Sequence, residues 1–288
     1  METLKTYLEK HYSKTATGGY EHIIKRYLSA VPDAEKSGYA EVVEYIGFLR
    51  KQQLHPKSLR NHLFAIKLYY RYLIATGKRE DHPCEKLYLK DKINRSIAVE
   101  SLYSQKALEE LLKSHRSKDI TLQKRNEVVI SLLIYQALTV REITALKIED
   151  INLEMGTIHI KSTIKNKGRT LSLKPQQIML FYHYLHETRA AIEKRTRTKN
   201  NFFILSKYGT ELWPGGINRL INEDRKPHEK LLPLKIRQSV IAHHLKQNTN
   251  VRVVQVFAGH RRSGSTEEYK QSGLEELKAS INKLHPLQ

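Results

Sequence analysis

Residues 258–270 read AGHRRSGSTEEYK. Tyr269 closes this stretch behind Gly259, His260, Arg261, Arg262 and a run of Ser and Thr. A tyrosine kept for packing needs only apolar neighbours. A tyrosine that attacks a phosphate needs cations and hydrogen-bond donors close by, because charge on the non-bridging oxygens must be clamped. Immediately upstream, Lys235–Gln247 and Val251–Phe257 read as helices, the first carrying Arg237.

The composition agrees with a polyanionic partner. Lys and Arg number 50 against 30 Asp and Glu, a formal charge of +20 over 288 residues. Cations that neutralise phosphates release counterions, so a nucleic acid is the expected partner. The basic residues are spread through segments with folding periodicity and form no tail, which favours nucleic acid over a solubility surplus or an anionic membrane surface. At 40% hydrophobic and 28% charged, the chain can bury a core. No apolar run is long enough to span a membrane, and METLKTYLEKHYSK lacks a signal-peptide apolar core. Cys84 is the only cysteine, which excludes an internal disulfide and a Cys-based zinc site and suits a reducing cytoplasm. The expected location is cytoplasmic, at the nucleoid.

The pattern predicts a mainly α fold with a small antiparallel sheet, an α+β arrangement in two domains. Residues 1–77 hold three helical stripes: Tyr20 to Val31 after Gly18-Gly19, Val42 to Leu49, and Leu59 to Leu73. The last is entered through Pro56 and stopped at Gly77. Its opposite face carries Lys57, Arg60, Lys67 and Arg71, a solvated face or a grip on a DNA backbone. Residues 78–100 lack a period and read as a linker. From 101 onward come a helix over Ser104–Ser114, an apolar helix over Glu127–Tyr135, and a helix starting at the Thr139-x-x-Glu142 capping box. The period then changes to two. Thr157–Lys161 and Arg169–Leu173 read as strands joined by Ser162–Gly168. A long helix over Gln176–Lys194, a strand or buried edge at Phe202–Leu205, a helix over Gly215–Asn222 and an amphipathic helix over Leu274–Leu284 complete the pass. Trp213 is expected in the core, and His243 and His244 at the surface or half-buried.

The chemistry narrows by elimination. There is no GxxxxGK[ST] loop and no His, Asp and Glu cluster with metal-ligand spacing. Neither a cofactor nor a metal is expected.

The stretches LKIRQSVIAHHLKQ and VQVFAGHRRSGSTEEY together resemble the tyrosine recombinases, or phage-type integrases. That pattern has a His-x-x-Arg box opening a helix, a second helix ending in Leu-Gly-His, and a Tyr nine residues after that His. ALTVREITALKIEDINLEMGTIHI and KNKGRTLSL resemble the family's first arginine helix and β-hairpin. The N-terminal helices fit its core-binding domain in length and position.

The resemblance implies a site-specific recombinase or integrase that cuts and rejoins DNA through a 3′-phosphotyrosyl link, without metal or ATP. Tyr269 is implied as nucleophile, Arg237 as a phosphate-binding guanidinium and His260 as a further donor. Lys165, or secondly Lys167, would protonate the departing 5′-oxygen. Clustered cations should make the Tyr269 phenolate more accessible. Arg261 and Arg262 are implied as backbone contacts, as is Lys167 if it is not the acid. A tail such as Leu274–Leu284 packs on a neighbouring subunit in related recombinases, which implies a tetramer on DNA; packing on its own domain is the alternative.

Two departures stand out. Leu234 occupies the box histidine position, with Gln238 where many members carry a second His. Thr139 occupies the first arginine position, with Arg141 two residues on. Two residues turn a helix by about 200°. Arg141 serves if the helix start shifts; otherwise another basic residue substitutes or the site is weakened. The same departures motivate an alternative, a catalytically impaired DNA-binding accessory protein of the same fold. A type IB topoisomerase, which shares the chemistry, would act on supercoiled DNA without a specific site.

Overall fold

The computed structural model describes residues 2–92, 97–98 and 101–269. Two compact units divide the chain, Met1–Asn94 and Arg95–Gln288. The expected Leu274–Leu284 helix lies outside the described residues, as do parts of the expected linker.

The first unit contains α1 (Leu4–His11), α2 (Lys14–Ala30), α3 (Tyr39–Lys51) and α4 (Pro56–Ala75). Pro56 sits at the first position of α4, where a missing N–H costs nothing. His55 Nδ1 accepts from the Lys57 backbone N–H at 3.1 Å. Gly77, with φ +70°, follows the helix end in the left-handed conformation that suits glycine. The apolar stripes meet in one core that includes Leu8, Ile24, Tyr27, Ile46, Leu49, Ile66 and Tyr70. Two of its buried phenols are paired: the Tyr27 and Tyr70 hydroxyls lie 2.7 Å apart, and Tyr70 donates to the Ala34 carbonyl at 2.9 Å.

The second helix differs from the sequence expectation. It starts at Lys14 and runs through Gly18 and Gly19 instead of beginning after them. Two helical glycines cost roughly 1 kcal/mol each relative to alanine. Burial of Thr17 among its neighbours and packing of Ile24 and Tyr27 favour the longer helix.

The second unit begins with α5 (Gln105–Ser114), capped by the Ser104 hydroxyl, which accepts from the Ala107 N–H. Next is α6 (Gln123–Tyr135), whose residues 128–134 are all buried. A helix apolar on every side belongs at the centre of a domain. Then come α7 (Val140–Ala145) and an antiparallel sheet of β1 (Ile151–Asn152), β2 (Thr157–Ile160) and β3 (Arg169–Ser172) in that order. Ile158 pairs with Leu171 and Ile160 with Arg169, so Ile158, Ile160, Leu171 and Arg169 are all buried.

Next are α8 (Pro175–His183) and α9 (Ala190–Thr196), joined through a π-helical turn at Tyr184–Arg189. The expected long helix is thus continuous but locally widened. After these come α10 (Pro214–Ile221), α11 (Pro233–Lys246) and α12 (Val251–Ala258). Residues 264–269 are helical, Tyr269 being the last of the described residues.

Of two further expectations, the first resolves to one of its two alternatives and the second needs correction. Phe202–Leu205 is a buried edge and not a strand. Its backbone is satisfied piecemeal, with the Phe203 N–H on the Leu146 carbonyl at 2.7 Å and the Leu205 N–H on the Tyr184 hydroxyl at 3.0 Å, so no ladder forms. Trp213 is not in the core; it is 74% exposed. Its ring folds over Gly215, where a Cβ would collide with it.

Candidate active site

Arg237 is buried near the start of α11. Its guanidinium donates to the Ala258 carbonyl at 2.6 Å and to the Ala137 carbonyl. The first acceptor ends α12, two residues before His260. The second lies between α6 and α7, in a residue with φ +50°. Three elements are therefore fixed around one cation. Burial draws its pKa down and Glu142 opposes this; a guanidinium stays charged throughout the working pH range.

Glu142 is the hub beneath this cation. It sits in the first turn of α7, where the Thr139 hydroxyl accepts from its N–H at 3.2 Å and its Oε2 accepts from the Thr139 N–H at 2.8 Å. The capping box legible in the sequence is present. Glu142 Oε1 accepts from Arg169 Nη1 at 2.7 Å and from Asn166 Nδ2 at 3.0 Å, and Oε2 lies 4.0 Å from Arg237 Nη1. Burial pushes the carboxyl pKa up, but the Arg169 hydrogen bond and charge outweigh it, and it ends below the usual range.

His260 follows Gly259, which closes α12 with φ +69°. His260 Nδ1 lies 2.9 Å from the Thr266 hydroxyl, and its backbone pairs with Asn166 in an isolated antiparallel bridge. The Lys167 N–H donates to the Gly259 carbonyl at 2.8 Å. Arg261 donates to the Thr163 carbonyl at 2.6 Å and to Ser162 Oγ at 3.2 Å. The tip of the β2–β3 hairpin is thereby stitched to the loop before Tyr269. Burial, then the charges of Arg237 and Arg169, lowers the His260 pKa to about 4, so the imidazole is neutral at pH 7.

Tyr269 is half-buried against the main core of the unit. Burial pushes its phenol up to about 12, although the Arg237 charge pulls the other way. This corrects the expectation of a more accessible phenolate: desolvation outweighs the cation.

The structure brings Arg237, the His260 loop and Tyr269 into one electrostatic neighbourhood. It does not bring Arg141 there. Arg141 is exposed on the first turn of α7, one residue before buried Glu142. Leu234 is 67% exposed at the start of α11, and the neighbouring Lys235 ammonium lies 4.9 Å from the Tyr103 ring centroid. Lys165 and Lys167 are both exposed on the hairpin tip, as is Arg262 on its loop. The residue that sequence reasoning missed is Arg169. In the alternation Arg169-Thr170-Leu171-Ser172-Leu173 it shares the inward phase with two leucines, so a buried counter-charge was required. That requirement was legible in the sequence.

The basic face of α4 also needs correction. Lys67 is buried, donates to the Glu85 carbonyl at 2.7 Å and lies 4.4 Å from the Tyr88 ring centroid. It is therefore a packing residue and not an open phosphate contact. Arg71 pairs with Glu85 at 2.7 Å, and Arg60 donates to the Asp91 carbonyl at 2.8 Å. Lys57 is exposed at the start of the helix. Residues 79–92, expected to be linker, pack along this face and cover Lys67, while Lys57, Arg60 and Arg71 stay exposed.

Among the described residues, no group of three or more His, Cys, Asp or Glu side chains is placed to hold a metal ion. No helix among them is long and apolar enough to cross a membrane.

The sequence profile of the phage integrase family matches residues 102–276. The tyrosine recombinase XerD of Listeria innocua is 24% identical over 97% of this chain and 95% of its own. The tyrosine recombinase XerC of Oceanobacillus iheyensis is 27% identical over 86% of this chain and 81% of its own. Among solved structures, the XerH site-specific recombinase bound to a palindromic difH substrate in a post-cleavage complex superposes with a TM-score of 0.65 at 20% identity. That superposition covers 90% of this chain and 76% of the other.

Proposed function

The chain belongs to the phage integrase family, and from that membership and the geometry around Tyr269 we propose that it is a site-specific recombinase. It cuts and rejoins duplex DNA through a 3′-phosphotyrosyl intermediate. The observation that carries this reading is the Arg237 guanidinium, seated on the carbonyl two residues before His260 and acting electrostatically on both His260 and Tyr269.

In the proposed step the Tyr269 oxygen attacks phosphorus, forming the phenolic O–P bond as the P–O5′ bond breaks. The phenol loses a proton and the departing 5′-oxygen gains one, so the step is balanced without an external energy source. Keeping the energy in a phosphodiester makes rejoining the reverse of cutting. Arg237 neutralises charge developing on the non-bridging oxygens. Neutral His260 retains a ring N–H to donate to one of them. Lys165 or Lys167, at the hairpin tip, donates to the leaving oxygen. Arg262 and Lys57 serve as backbone contacts, while Arg261 orders the hairpin. The N-terminal helical unit serves as the core-binding part. Assembly to a tetramer on DNA through Leu274–Leu284, at the nucleoid, completes the proposal.

The test starts from a pool of nicked duplexes of randomised sequence, from which covalent protein–DNA adducts are isolated and sequenced. Adducts converging on one sequence, and absent with Tyr269→Phe, are expected. Binding to a defined sequence with no adduct identifies the accessory protein instead. Relaxation of any supercoiled plasmid without sequence preference identifies a topoisomerase.

A further inference from the structure

We propose that Arg169 is a second phosphate-binding residue, which takes a non-bridging oxygen of the scissile phosphodiester on the Nε–Nη2 edge of its guanidinium. The proposal rests on the recombinase reading of the same site.

Arg169 opens β3 with its side chain only 1% exposed. Its Nη1 is engaged by Glu142 at 2.7 Å. Its Nε and Nη2 are buried and have no hydrogen-bond partner. Buried donors are nearly always paired, and an unmet donor on a charged group is the costlier kind. Elsewhere in this chain Arg50 shows what that edge is suited to: its Nε and Nη2 grip the two oxygens of Asp91 at 2.9 and 2.7 Å. The Nε–Nη2 edge fits a planar or tetrahedral oxyanion in the same bidentate way.

The local charge balance points the same way. Two buried guanidiniums, Arg169 and Arg237, face a single carboxylate, Glu142. Neutral His260 adds nothing, so the cluster holds one uncompensated positive charge. A buried ion pair is favourable only when its remaining donors and its charge are satisfied. An incoming anion satisfies both.

The position is also suitable. Gly259 packs so closely on the Arg169 guanidinium that a Cβ there would collide with it and with the Lys167 carbonyl. The unpaired edge therefore belongs to a group lying against the residue that precedes His260. At Thr139 the side chain only caps α7, and Arg141 is exposed, so neither supplies a second buried cation. The free edge is closed to water.

The test compares the full-length chain with Arg169→Gln and Arg169→Lys. Inorganic phosphate, exchanged for chloride at fixed ionic strength, should raise the unfolding temperature of the native chain more than that of Arg169→Gln. On the duplex selected with the native protein, adduct formation should fall on the order of 10²-fold in Arg169→Gln, as for loss of one oxyanion donor. A duplex with a neutral methylphosphonate at the cut position removes the charge that Arg169 meets. There the native chain and Arg169→Gln should differ by only a few-fold. If both losses multiply in full on that duplex, or if phosphate stabilises both proteins equally, Arg169 does not bind phosphate and its role is packing. If Arg169→Gln does not fold, Arg169→Lys decides through the same two comparisons. If no duplex yields an adduct, the recombinase reading fails, and the phosphate comparison alone settles Arg169.

Discussion

His260 Nδ1 and the Thr266 hydroxyl lie 2.9 Å apart across a six-residue turn, and Thr266 is fully buried. This hydrogen bond orients the imidazole and shapes the loop that delivers Tyr269. Thr266→Val keeps the volume and removes the hydroxyl. Leaving a buried partner unsatisfied costs about 1–3 kcal/mol. Urea denaturation should show that loss, and adduct formation should slow while DNA affinity holds. Thr266→Ser, which keeps the oxygen, should retain most of both.

The stability of the second unit should fall on mild acidification, partly through His260. Its folded pKa of about 4 lies below the ordinary 6.5. Above pH 6.5 both folded and unfolded forms are neutral, and the group contributes nothing. As pH drops from 6.5 toward 4 the unfolded chain takes up a proton that the folded chain refuses, so stability is lost across that window. The ceiling is about 3 kcal/mol, from roughly 1.4 kcal/mol per pKa unit. His115, His243 and His244 are also lowered by burial and add to the trend. His260→Gln should therefore flatten the pH 4–6.5 profile in part. An unchanged slope would show that His260 is not buried neutral.

Gly259→Ala should be the most damaging single-methyl change in the site. The position has φ +69°, and a Cβ there meets the Arg169 guanidinium and the Lys167 carbonyl. A left-handed non-glycine residue costs about 1–2 kcal/mol, and overpacking adds about 1–3 kcal/mol. Thermal denaturation should register a large loss. Any folded fraction should be inactive, because the displaced groups include the hairpin tip.

Lys57 and Lys67 should separate cleanly. Exposed Lys57, changed to Ala, should weaken binding to all duplexes alike and reduce the salt slope by about one. Lys67→Met removes the ammonium from the Glu85 carbonyl and from Tyr88. It should destabilise the first unit by about 1–2 kcal/mol and affect DNA only through folding. A uniform loss of affinity with unchanged stability would return Lys67 to the phosphate contacts.

Most helices were legible because their apolar spacing, prolines and capping residues agree with one another. Thr139 and Glu142, for example, form the box that their spacing implies. The hairpin was legible because alternation holds over Thr157–Lys161 and again over Arg169–Leu173. The misses share a cause: tertiary context overrode local signals. Gly18 and Gly19 look like a break, but the packing of α2 carries the helix through them. Trp213 looks like core, but its backbone caps α10 and its ring lies outside. Lys67 lies on a polar stripe whose cover, residues 79–92, has no periodicity to announce it. At the candidate site, Tyr269, Arg237 and His260 stood in the two stretches that resemble the tyrosine recombinases, and the resemblance singled them out. A further cation was expected on the helix of Thr139 and Arg141. The buried one, Arg169, opens β3, where a strand alternation and not a motif held the information.

The Asn166–His260 bridge, described above only as a stitch between hairpin and loop, makes the two segments a single mechanical part. The hairpin tip carries exposed Lys165 and Lys167, and the loop leads into Tyr269. Force applied to one by a groove or a neighbouring molecule is felt by the other with no relay between them. On the recombinase reading, seating the tip on a duplex and placing the Tyr269 phenol would then be coupled, so a substrate that fails to seat the tip should also fail to be cut.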